Sequence, residues 1–290
     1  MANRMSTEKR NTILRLMVEG NSIRSITRLM GTNIPSVIRQ LTWAGDHCAA
    51  LMNERFRHLT LTHVECDEIW TFVQKKQSRL TMEERETRGD IGDIYLWTAL
   101  DQGNRLIPSF VVGKRSADNA RRLMMDLRSR ITIPRPHEAD VTGEYRKVLQ
   151  ISSDGFAAYP EAVDLAFGPY VKFGTIIKDY RNANMPYTPS EMVGTQRRGI
   201  KGIHGSEERT ICTSHVERNN LTIRTFMKRF TRLALGFSKK LENLESAVSL
   251  HMAYDNFCWR SGEMRVTPAM AAKVTKTLWS FDDLMMGTAA

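Results

Sequence analysis

From His63 to Val73 the chain reads HVECDEIWTFV, and this stretch decides the predicted fold. Its β-branched and aromatic residues are typical of a strand. Three acidic residues, Glu65, Asp67 and Glu68, stand among them, although strand interiors are poor in acids because a buried charge must be compensated. Strand alternation predicts Glu65 and Asp67 on one face and Glu68 on the other. Either a bound cation or a salt bridge to a nearby Lys or Arg would compensate the charge.

The segments downstream of this strand predict an α/β domain. We expect strands at 94–99, 106–112, 147–153 and 171–177, and helices at 116–130, 159–167, 214–233 and 239–259. The charged stretch 78–92 is expected to be a loop, and 178–212 an irregular insertion. Three strands followed by alternating helices and strands is the element order of a ribonuclease-H-like fold, in which helices flank a mixed sheet. This analogy of fold by itself implies no activity.

Residues 1–58 predict a separate all-α domain with a helix-turn-helix. Two short helical segments precede a turn at Gly31, and Pro35 suits the first turn of the next helix. In a helix-turn-helix the later helix enters the major groove of DNA, so we expect Ser36, Arg39 and Gln40 to contact bases or phosphates. A plain three-helix bundle is the alternative, because helices joined by a glycine turn are common.

The charge balance favours a polyanionic partner. The chain has 290 residues, a formal net charge of +10 and a pI near 9.6, and Lys or Arg contacts to phosphates release condensed counterions. The four cysteines form no C-x-x-C pair, so we expect neither a zinc site nor a disulfide framework. No apolar run approaches the roughly 18 residues of a membrane span, and the amino terminus lacks a signal-peptide core. We therefore expect a cytoplasmic protein without a membrane partner.

Two further acidic residues stand where a metal site is often built. Asp154 ends the strand predicted at 147–153, and ligands of α/β sheets gather at the carboxyl ends of strands. Asp154-Gly155 is equally a common turn pair. Glu217 stands near the start of the helix predicted at 214–233, where its carboxylate would face the sheet edge. Ser214-x-x-Glu217 is equally a capping box, in which the glutamate bonds back to the start of the helix.

Taken together, Asp67, Asp154 and Glu217 match the needs of phosphoryl transfer. Two divalent cations about 3.5–4 Å apart can activate a water or a 3′-hydroxyl and stabilise the leaving oxygen. Such hard cations prefer carboxylate oxygens to Cys or His ligands. One acid within a strand, one at a strand end and one on a late helix would supply these oxygens.

Three blocks around these acids resemble the motifs of a known family. They read VECDEIW around Asp67, SSDGFAAY around Asp154 and HVERNNLTIR around Glu217, with GFSKK following from Gly236. In this order, over residues 64–259, they resemble the insertion-sequence-one family of DDE transposases. The resemblance implies a ribonuclease-H-like catalytic domain at 59–260, with a C-terminal tail at 261–290. It implies that Asp67, Asp154 and Glu217 are both the catalytic triad and the metal ligands.

The resemblance also implies a cofactor and partners. Mg²⁺, with Mn²⁺ as a substitute, would serve to free 3′-hydroxyls at transposon ends and join them to target DNA. The partners would be double-stranded DNA, both terminal repeats and target, at the nucleoid. Because two transposon ends must be paired, the family resemblance implies at least a homodimer on DNA.

Basic residues near the predicted site are candidate DNA contacts. On the predicted helix 214–233, Arg224 and Lys228 share a face with Glu217, which places them beside the metal ligands. The insertion 178–212 carries the motif RRGIKG. A solvated basic face and a solvated loop are the alternatives. The residues expected to contact DNA here are Arg197, Arg198, Lys201, Arg218, Arg224 and Lys228.

Two other functions are consistent with the same fold. A ribonuclease-H-like nuclease would hydrolyse DNA without joining ends, and a catalytically silent regulator would only bind DNA. The three acids argue against the regulator, because a binding module has no need to bring them together. Strand joining in the presence of a divalent cation would distinguish a transposase from a nuclease.

Overall fold

The computed structural model describes residues 5–132, 149–181, 191–232, 234–260, 262 and 264–288. Strands and helices alternate through most of this range, as the sequence predicts. The strands are β1 His63–Val73, β2 Gly92–Asp101, β3 Ser109–Gly113, β4 Leu149–Asp154, β5 Val171–Arg181 and β6 Glu191–Lys201. The helices are α1 Thr7–Val18, α2 Ile23–Met30, α3 Ile34–Arg55, α4 Met82–Thr87, α5 Ala117–Arg130, α6 Tyr159–Phe167, α7 Ser214–Phe226, α8 Leu241–Phe257, α9 Pro268–Ala271 and α10 Phe281–Met286.

The described strands form one mixed sheet in the order β3-β2-β1-β4-β5-β6. β1 pairs antiparallel with β2 and parallel with β4, and β4 pairs parallel with β5. The outer pairs β2–β3 and β5–β6 are antiparallel. The strand order therefore changes direction between β1 and β4, and the carboxyl end of β4 lies beside the middle of β1, because their pairing ends at Cys66–Ser153 and β1 continues to Val73.

Helices cover both faces of the sheet. α7 packs against β1 and β2, whereas α5 packs against β2 and β3 and contacts α6. The face that carries α6 includes Trp97 of β2, which lies edge-on to Tyr159 with ring centroids 6.0 Å apart. Trp97 and Tyr159 are both fully buried. The predicted mixed sheet flanked by helices is confirmed.

The three N-terminal helices pack onto the rest of the chain through α8. α2 ends at Gly31, whose φ of 55° is left-handed, and Asn33 then caps α3 by accepting a hydrogen bond from the Ser36 amide at 2.8 Å. α3 crosses α8 closely at Gly45: a Cβ added there would lie 2.4 Å from Cα of Ser246. The predicted helices and turn are confirmed. The core is continuous with that of the sheet, because Leu41 and Cys48 of α3 belong to the same buried cluster.

The residues after α8 fold back onto the first helices. Asp282 at the start of α10 accepts hydrogen bonds from Asn11 and Arg15 of α1, both at 2.6 Å. His47 of α3 bonds to the Leu284 carbonyl oxygen at 2.9 Å. The segment predicted as a tail therefore forms part of the packing around α1 and α3.

Three local predictions differ from the structure. The stretch 78–92 was expected to be a loop, but it contains α4, which begins with a capping box of Thr81 and Glu84. The segment 178–212 was expected to be irregular, but β5 continues to Arg181 and β6 occupies Glu191–Lys201. Residues 182–190, like 147 and 148 of the strand predicted at 147–153, lie outside the described residues. The helix predicted at 214–233 ends at Phe226. Among the described residues, we find no helix of the length and hydropathy needed to cross a membrane.

The close crossing of α3 and α8 gives a stability prediction. Gly45→Ala places a methyl group against the backbone of Ser246, so the two helices must move apart. We expect a loss of about 1–3 kcal/mol in the free energy of unfolding, from overpacking, although alanine is by itself the better helix former. Urea unfolding measures the change. Gly89→Ala is the control, because nothing lies within 4 Å of a Cβ added there. Equal stability of the two variants would contradict the prediction.

Candidate metal centre

The candidate site lies where the hydrogen-bonded pairing of β1 with β4 ends. Their parallel pairing runs from His63–Gln150 to Cys66–Ser153, so Asp67 and Asp154 are the next residues on the two strands. Open α/β sheets bind ligands at this kind of position, beyond the carboxyl ends of strands where the strand order reverses. The topology therefore brings together two acids that are far apart in sequence.

Three carboxylates meet in this crevice. Oxygen atoms of Asp67, Glu68 and Asp154 all lie within 4.8 Å of one another. We expected Glu68 on the opposite face of β1, and its other contacts do lie there: Oε1 accepts from the Tyr159 hydroxyl at 2.5 Å and Oε2 from Arg115 at 3.0 Å. The pairing of β1 with β4 ends after Cys66, and there carboxylate oxygens from both faces of β1 lie within reach of one another. Sequence reasoning did not include Glu68 in the site.

Each of the other two carboxylates has its own hydrogen bonds. Asp67 accepts from the Glu68 amide at 2.9 Å and from Nδ2 of Asn220 at 2.8 Å. Asp154 accepts from the Phe156 amide at 3.0 Å, which is the expected turn contact, and from Arg115 at 3.2 Å. The turn contact engages Oδ1 of Asp154 and leaves Oδ2 directed toward the crevice and Arg115. The turn role and a ligand role are therefore compatible.

Burial and mutual repulsion raise the proton affinity of this cluster. Burial raises the pKa of Asp67 to about 6, the charges of Asp154 and Glu217 add to the effect, and the Glu68 amide opposes it. Burial likewise raises the pKa of Glu68 to about 7, with a contribution from Asp154, while Tyr159 and Arg115 oppose the rise. Arg115 is the one cation that bridges two of these acids among the described residues. Additional positive charge would stabilise the cluster.

Glu217 lies at the edge of the site on α7. It is outside the close group of three, but its charge contributes to the raised pKa of Asp67. Its Oε1 accepts from the Thr213 hydroxyl at 2.5 Å and forms an ion pair with Lys178 of β5. The capping-box alternative is wrong: Thr213 is the N-cap of α7 without a side-chain capping bond, and Ser214 is already the first helical residue. The carboxylate of Glu217 is therefore not used to start the helix.

Glu65 fixes the start of α7 against β1. Its Oε2 accepts from the amides of His215 at 2.8 Å and Val216 at 3.0 Å, and its Oε1 lies 2.6 Å from Nδ1 of His215. The glutamate is 1% exposed, so its charge is compensated by the helix terminus rather than by solvent. Glu65, which the sequence predicts on the same face of β1 as Asp67, thus positions the helix that carries Glu217.

The oxygen ligands that the cluster of Asp67, Glu68 and Asp154 offers fit a hard divalent cation. Three carboxylates lie within reach of one another, and the buried Oδ1 of Asn220 has no hydrogen-bond partner although its Nδ2 holds Asp67. Carboxylate and amide oxygens are the ligands that Mg²⁺ and Mn²⁺ prefer. The residues present could therefore bind a metal ion, with Asp67, Glu68 and Asp154 as the shared ligand set.

A second group contains ligand types that suit a softer metal. Glu65, Cys212 and His215 have potential ligand atoms within 4.8 Å of one another, and Cys and His are zinc ligands. We expected no zinc site because the cysteines form no C-x-x-C pair, a criterion that does not detect Cys212-x-x-His215 beside a strand residue. In the structure both oxygens of Glu65 already accept hydrogen bonds from α7. This group therefore serves the helix contact.

Comparison with known proteins adds no relative. No protein-family model matches the chain. A search of curated proteins finds no significantly similar sequence. The functional interpretation accordingly depends on the geometry of the site.

The predicted DNA contacts on α3 lie near its start. Arg39 is exposed, and Ser36 and Gln40 are partly exposed, whereas Val37 and Leu41 are buried. The three polar residues thus lie away from the core-facing side of α3. This surface is accessible for a partner.

The predicted contacts on β6 and α7 have varied surroundings. Arg198 and Arg218 are exposed, whereas Arg197 donates to the Ile211 carbonyl oxygen at 2.9 Å and Lys201 pairs with Asp164. Arg224 is half-buried and donates to the Phe230 carbonyl oxygen at 3.0 Å. These contacts hold Arg197, Lys201 and Arg224 to the protein itself.

One prediction about the face of α7 is wrong. Lys228 was placed on the same helical face as Glu217 and Arg224, but α7 ends at Phe226 and Lys228 lies in the turn that follows. Lys228 is exposed there. It therefore belongs to the connection between α7 and α8.

The anchor formed by Glu65 can be tested by mutation. Glu65→Gln keeps the shape but leaves one acceptor oxygen for three donors, so we expect a loss of about 1–3 kcal/mol in the free energy of unfolding. The Val216 amide should also exchange with solvent faster. Glu242→Gln is the matched control, because Glu242 is exposed and pairs only with Lys240 among the described cations; its change should stay within about 0.5 kcal/mol. A loss no larger in Glu65→Gln than in the control would show that the contact does not stabilise the fold.

The raised pKa of Asp67 gives a prediction about pH. The folded state binds this proton more tightly than the unfolded chain, because the pKa rises from 3.8 to about 6. The bound proton therefore stabilises the folded state fully below pH 3.8, and this stabilisation is lost as the pH rises through about 6. Between about pH 4 and pH 7, without metal, Asp67→Asn should gain on the order of 3 kcal/mol relative to wild type.

Unfolding by urea at several pH values measures this difference. The exposed carboxylate variant Asp118→Asn is the control and should keep the wild-type pH profile; the Asp118 side chain is 85% exposed. Added Mg²⁺ should stabilise wild type near neutral pH more than at acid pH, because metal binding competes with protons. Parallel pH profiles of wild type and Asp67→Asn would contradict the prediction.

Proposed function

We propose that this protein is a DNA transposase that cleaves transposon ends and joins the freed 3′-hydroxyls to target DNA by metal-dependent phosphoryl transfer. The observation that carries the proposal is the approach of Asp67 and Asp154 at the point where β1 and β4 part, with Glu217 beside them on α7. These are the three acids of the motifs that resemble the insertion-sequence-one family. Their proximity is what that chemistry requires.

The architecture supports a catalytic domain of ribonuclease-H-like fold. The strand order β3-β2-β1-β4-β5, with the first three strands antiparallel and the next two parallel to β1, is compatible with that fold. The additional strand β6 pairs with β5 at the edge. In this proposal α2 and α3, with the turn at Gly31, act as the helix-turn-helix, and Ser36, Arg39 and Gln40 contact DNA.

In this mechanism the acidic residues hold the cofactor and the basic residues hold the substrate. Asp67, Asp154 and Glu217 would bind Mg²⁺, or Mn²⁺ in its place, and Glu68 would be a further ligand. When bound, the metal would activate the attacking oxygen and neutralise charge on the phosphate. The protein supplies a preformed crevice whose ligands are already oriented by Asn220, the Glu68 amide and the Phe156 amide.

Two cations of the protein would have to change partners when metal and DNA enter. Lys178 pairs with Glu217, and Arg115 bridges Glu68 and Asp154. With the charge of these carboxylates compensated, Lys178 and Arg115 would be available for phosphate oxygens of the DNA. Transposon ends and target DNA are the proposed partners, bound by at least a homodimer, and the net charge of +10 favours such polyanions.

The proposal is tested with DNA from both flanks of the gene, purified protein and Mg²⁺. Wild type should nick the element's ends and join them to target DNA, and chelation of the metal should stop both reactions. Asp154→Asn should lower the rate by about 1000-fold, which is about 4 kcal/mol of transition-state stabilisation. Asp118→Asn is the matched control with an exposed carboxylate on α5 and should act as wild type.

Each alternative outcome identifies a different function. Nicking without joined products would indicate a nuclease of the same fold. Binding without cleavage under any divalent cation would indicate a DNA-binding regulator. Full activity of Asp154→Asn would remove the carboxylate cluster from the mechanism.

A further inference from the structure

A second concave site lies at the carboxyl-terminal end of α7, away from the metal centre at its first turn. It is a cavity of about 740 Å³ between α1–α3 and the connection from α7 to α8. Phe226 at its wall is nine residues past Glu217, about 13 Å along α7 at 1.5 Å per residue. The volume lies in the range of sites that bind small molecules. The proposed function does not use this cavity.

The walls of the cavity are mainly apolar, with two aromatic rings. Ile34 and Ile38 of α3 line one side, and Phe226 and Phe237 the other. Leu235 lies at the cavity with 96% of its surface exposed to solvent. An exposed leucine beside apolar walls and aromatic rings forms a surface that a flat apolar ligand can cover, and nucleic-acid bases stack on such rings.

Two buried polar atoms of residues beside this space have no partners. His251 and Asn243 of α8 both line the cavity, with side chains 5% and 7% exposed. Nδ1 of His251 and Oδ1 of Asn243 have no hydrogen-bond partner. Buried polar atoms are normally paired, because an unpaired one costs free energy. Both residues are set in the mainly apolar wall with one polar atom closed off from solvent.

The charges at the cavity are all of one sign. The lining residues that the structure describes include no Asp or Glu. Burial lowers the pKa of Arg229 to about 10, so its guanidinium stays charged at neutral pH, whereas burial lowers the pKa of His251 to about 4 and keeps the imidazole neutral. Lys239 lies 4.0 Å from the centre of the Phe237 ring. The four basic lining residues are Arg24, Lys228, Arg229 and Lys239.

We propose that this cavity binds one deoxynucleotide, with its base between the apolar walls and its phosphate at the basic residues. The apolar walls and the aromatic rings suit a flat base rather than an aliphatic anion, and the basic residues suit a phosphate. The base stacks on Phe226 or Phe237, and Lys228, Arg229 and Lys239 contact the phosphate. That the nucleotide belongs to a DNA strand, turned out of its stack, rests on the proposed function.

The test measures binding of a free nucleotide to the full chain without metal. Deoxyadenosine monophosphate is titrated calorimetrically in the presence of a chelator, with inorganic phosphate as the probe for the basic rim alone. Ala247→Phe fills the cavity from α8 and should abolish binding of the nucleotide. Ala50→Phe is its control, because Ala50 is an exposed alanine on α3 away from the lining residues. Circular dichroism and urea unfolding show whether each variant is folded.

A charge variant tests the same site without changing its shape. Lys239→Gln should weaken nucleotide binding by about 10-fold, as expected for the loss of one charged hydrogen bond. The neighbouring Lys240→Gln should bind as wild type, because Lys240 pairs with Glu242 and does not line the cavity. Equal binding by Ala247→Phe and wild type, or no binding of any nucleotide probe, would overturn the proposal.

A DNA oligonucleotide with 2-aminopurine near its end separates the two sources of the nucleotide. A fluorescence rise on binding, absent in Ala247→Phe, shows a base of the strand entering the cavity. Calorimetric binding without this rise shows a site for free nucleotides only and overturns the assignment to DNA. Because the readout needs neither metal nor catalysis, it is independent of the carboxylate cluster, and Asp118→Asn, an exposed carboxylate variant, should behave as wild type. Strand joining without nucleotide binding would refute the cavity alone, and nucleotide binding without strand joining would refute the transposase alone.

Discussion

The buried carboxylate of Glu65 connects the two elements on which the metal centre depends. It accepts two amides of the first turn of α7 and contacts the His215 ring, while its own strand carries Asp67 two residues later. A helix terminus leaves several amides without partners inside the helix, and an anion is favourable beside them. This contact therefore fixes how far Glu217 can lie from Asp67. The position of the helix that carries Glu217 is thus set by a residue that takes no part in the proposed chemistry.

The carboxylates of the metal centre, in contrast to Glu65, are only partly compensated by positive charge. At Glu65 the helix terminus compensates one buried acid fully, whereas Asp67, Glu68 and Asp154 repel one another with Arg115 as their shared cation. Burial raises the pKa of Asp67 and of Glu68, which is the cost of keeping acids together without a bound cation. A fold that held these residues only for stability would favour replacing one of them with a neutral side chain. The cluster as it stands would be stabilised by a bound divalent cation.

The sequence predicted the sheet well because β1 has an uncommon pattern. Acids inside an aromatic and β-branched run located the central strand with its correct bounds, and Asp154 was recognised as a strand end. β6 was missed because GTQRRGIK has no alternation of apolar and polar residues, and as an edge strand it is exposed on most of its length. Arg115 and Lys178 could not be assigned to the site, because only the folded sheet brings them to the acids. The capping box failed for a local reason: the helix begins one residue earlier than the motif requires.

The two ends of α7 lie at the metal centre and at the cavity beside the N-terminal helices. Its first turn is held by Glu65, and the residues after its last turn form a wall of the cavity whose other wall is α3. Gly45 brings α3 against α8, so that Asn243, Ala247 and His251 also reach this space. A ligand that pushed α3 away from α8 would also push on the residues that follow α7, the helix that carries Glu217. The close crossing at Gly45 makes that displacement costly, and it thereby holds α3 and α8 in one fixed relation.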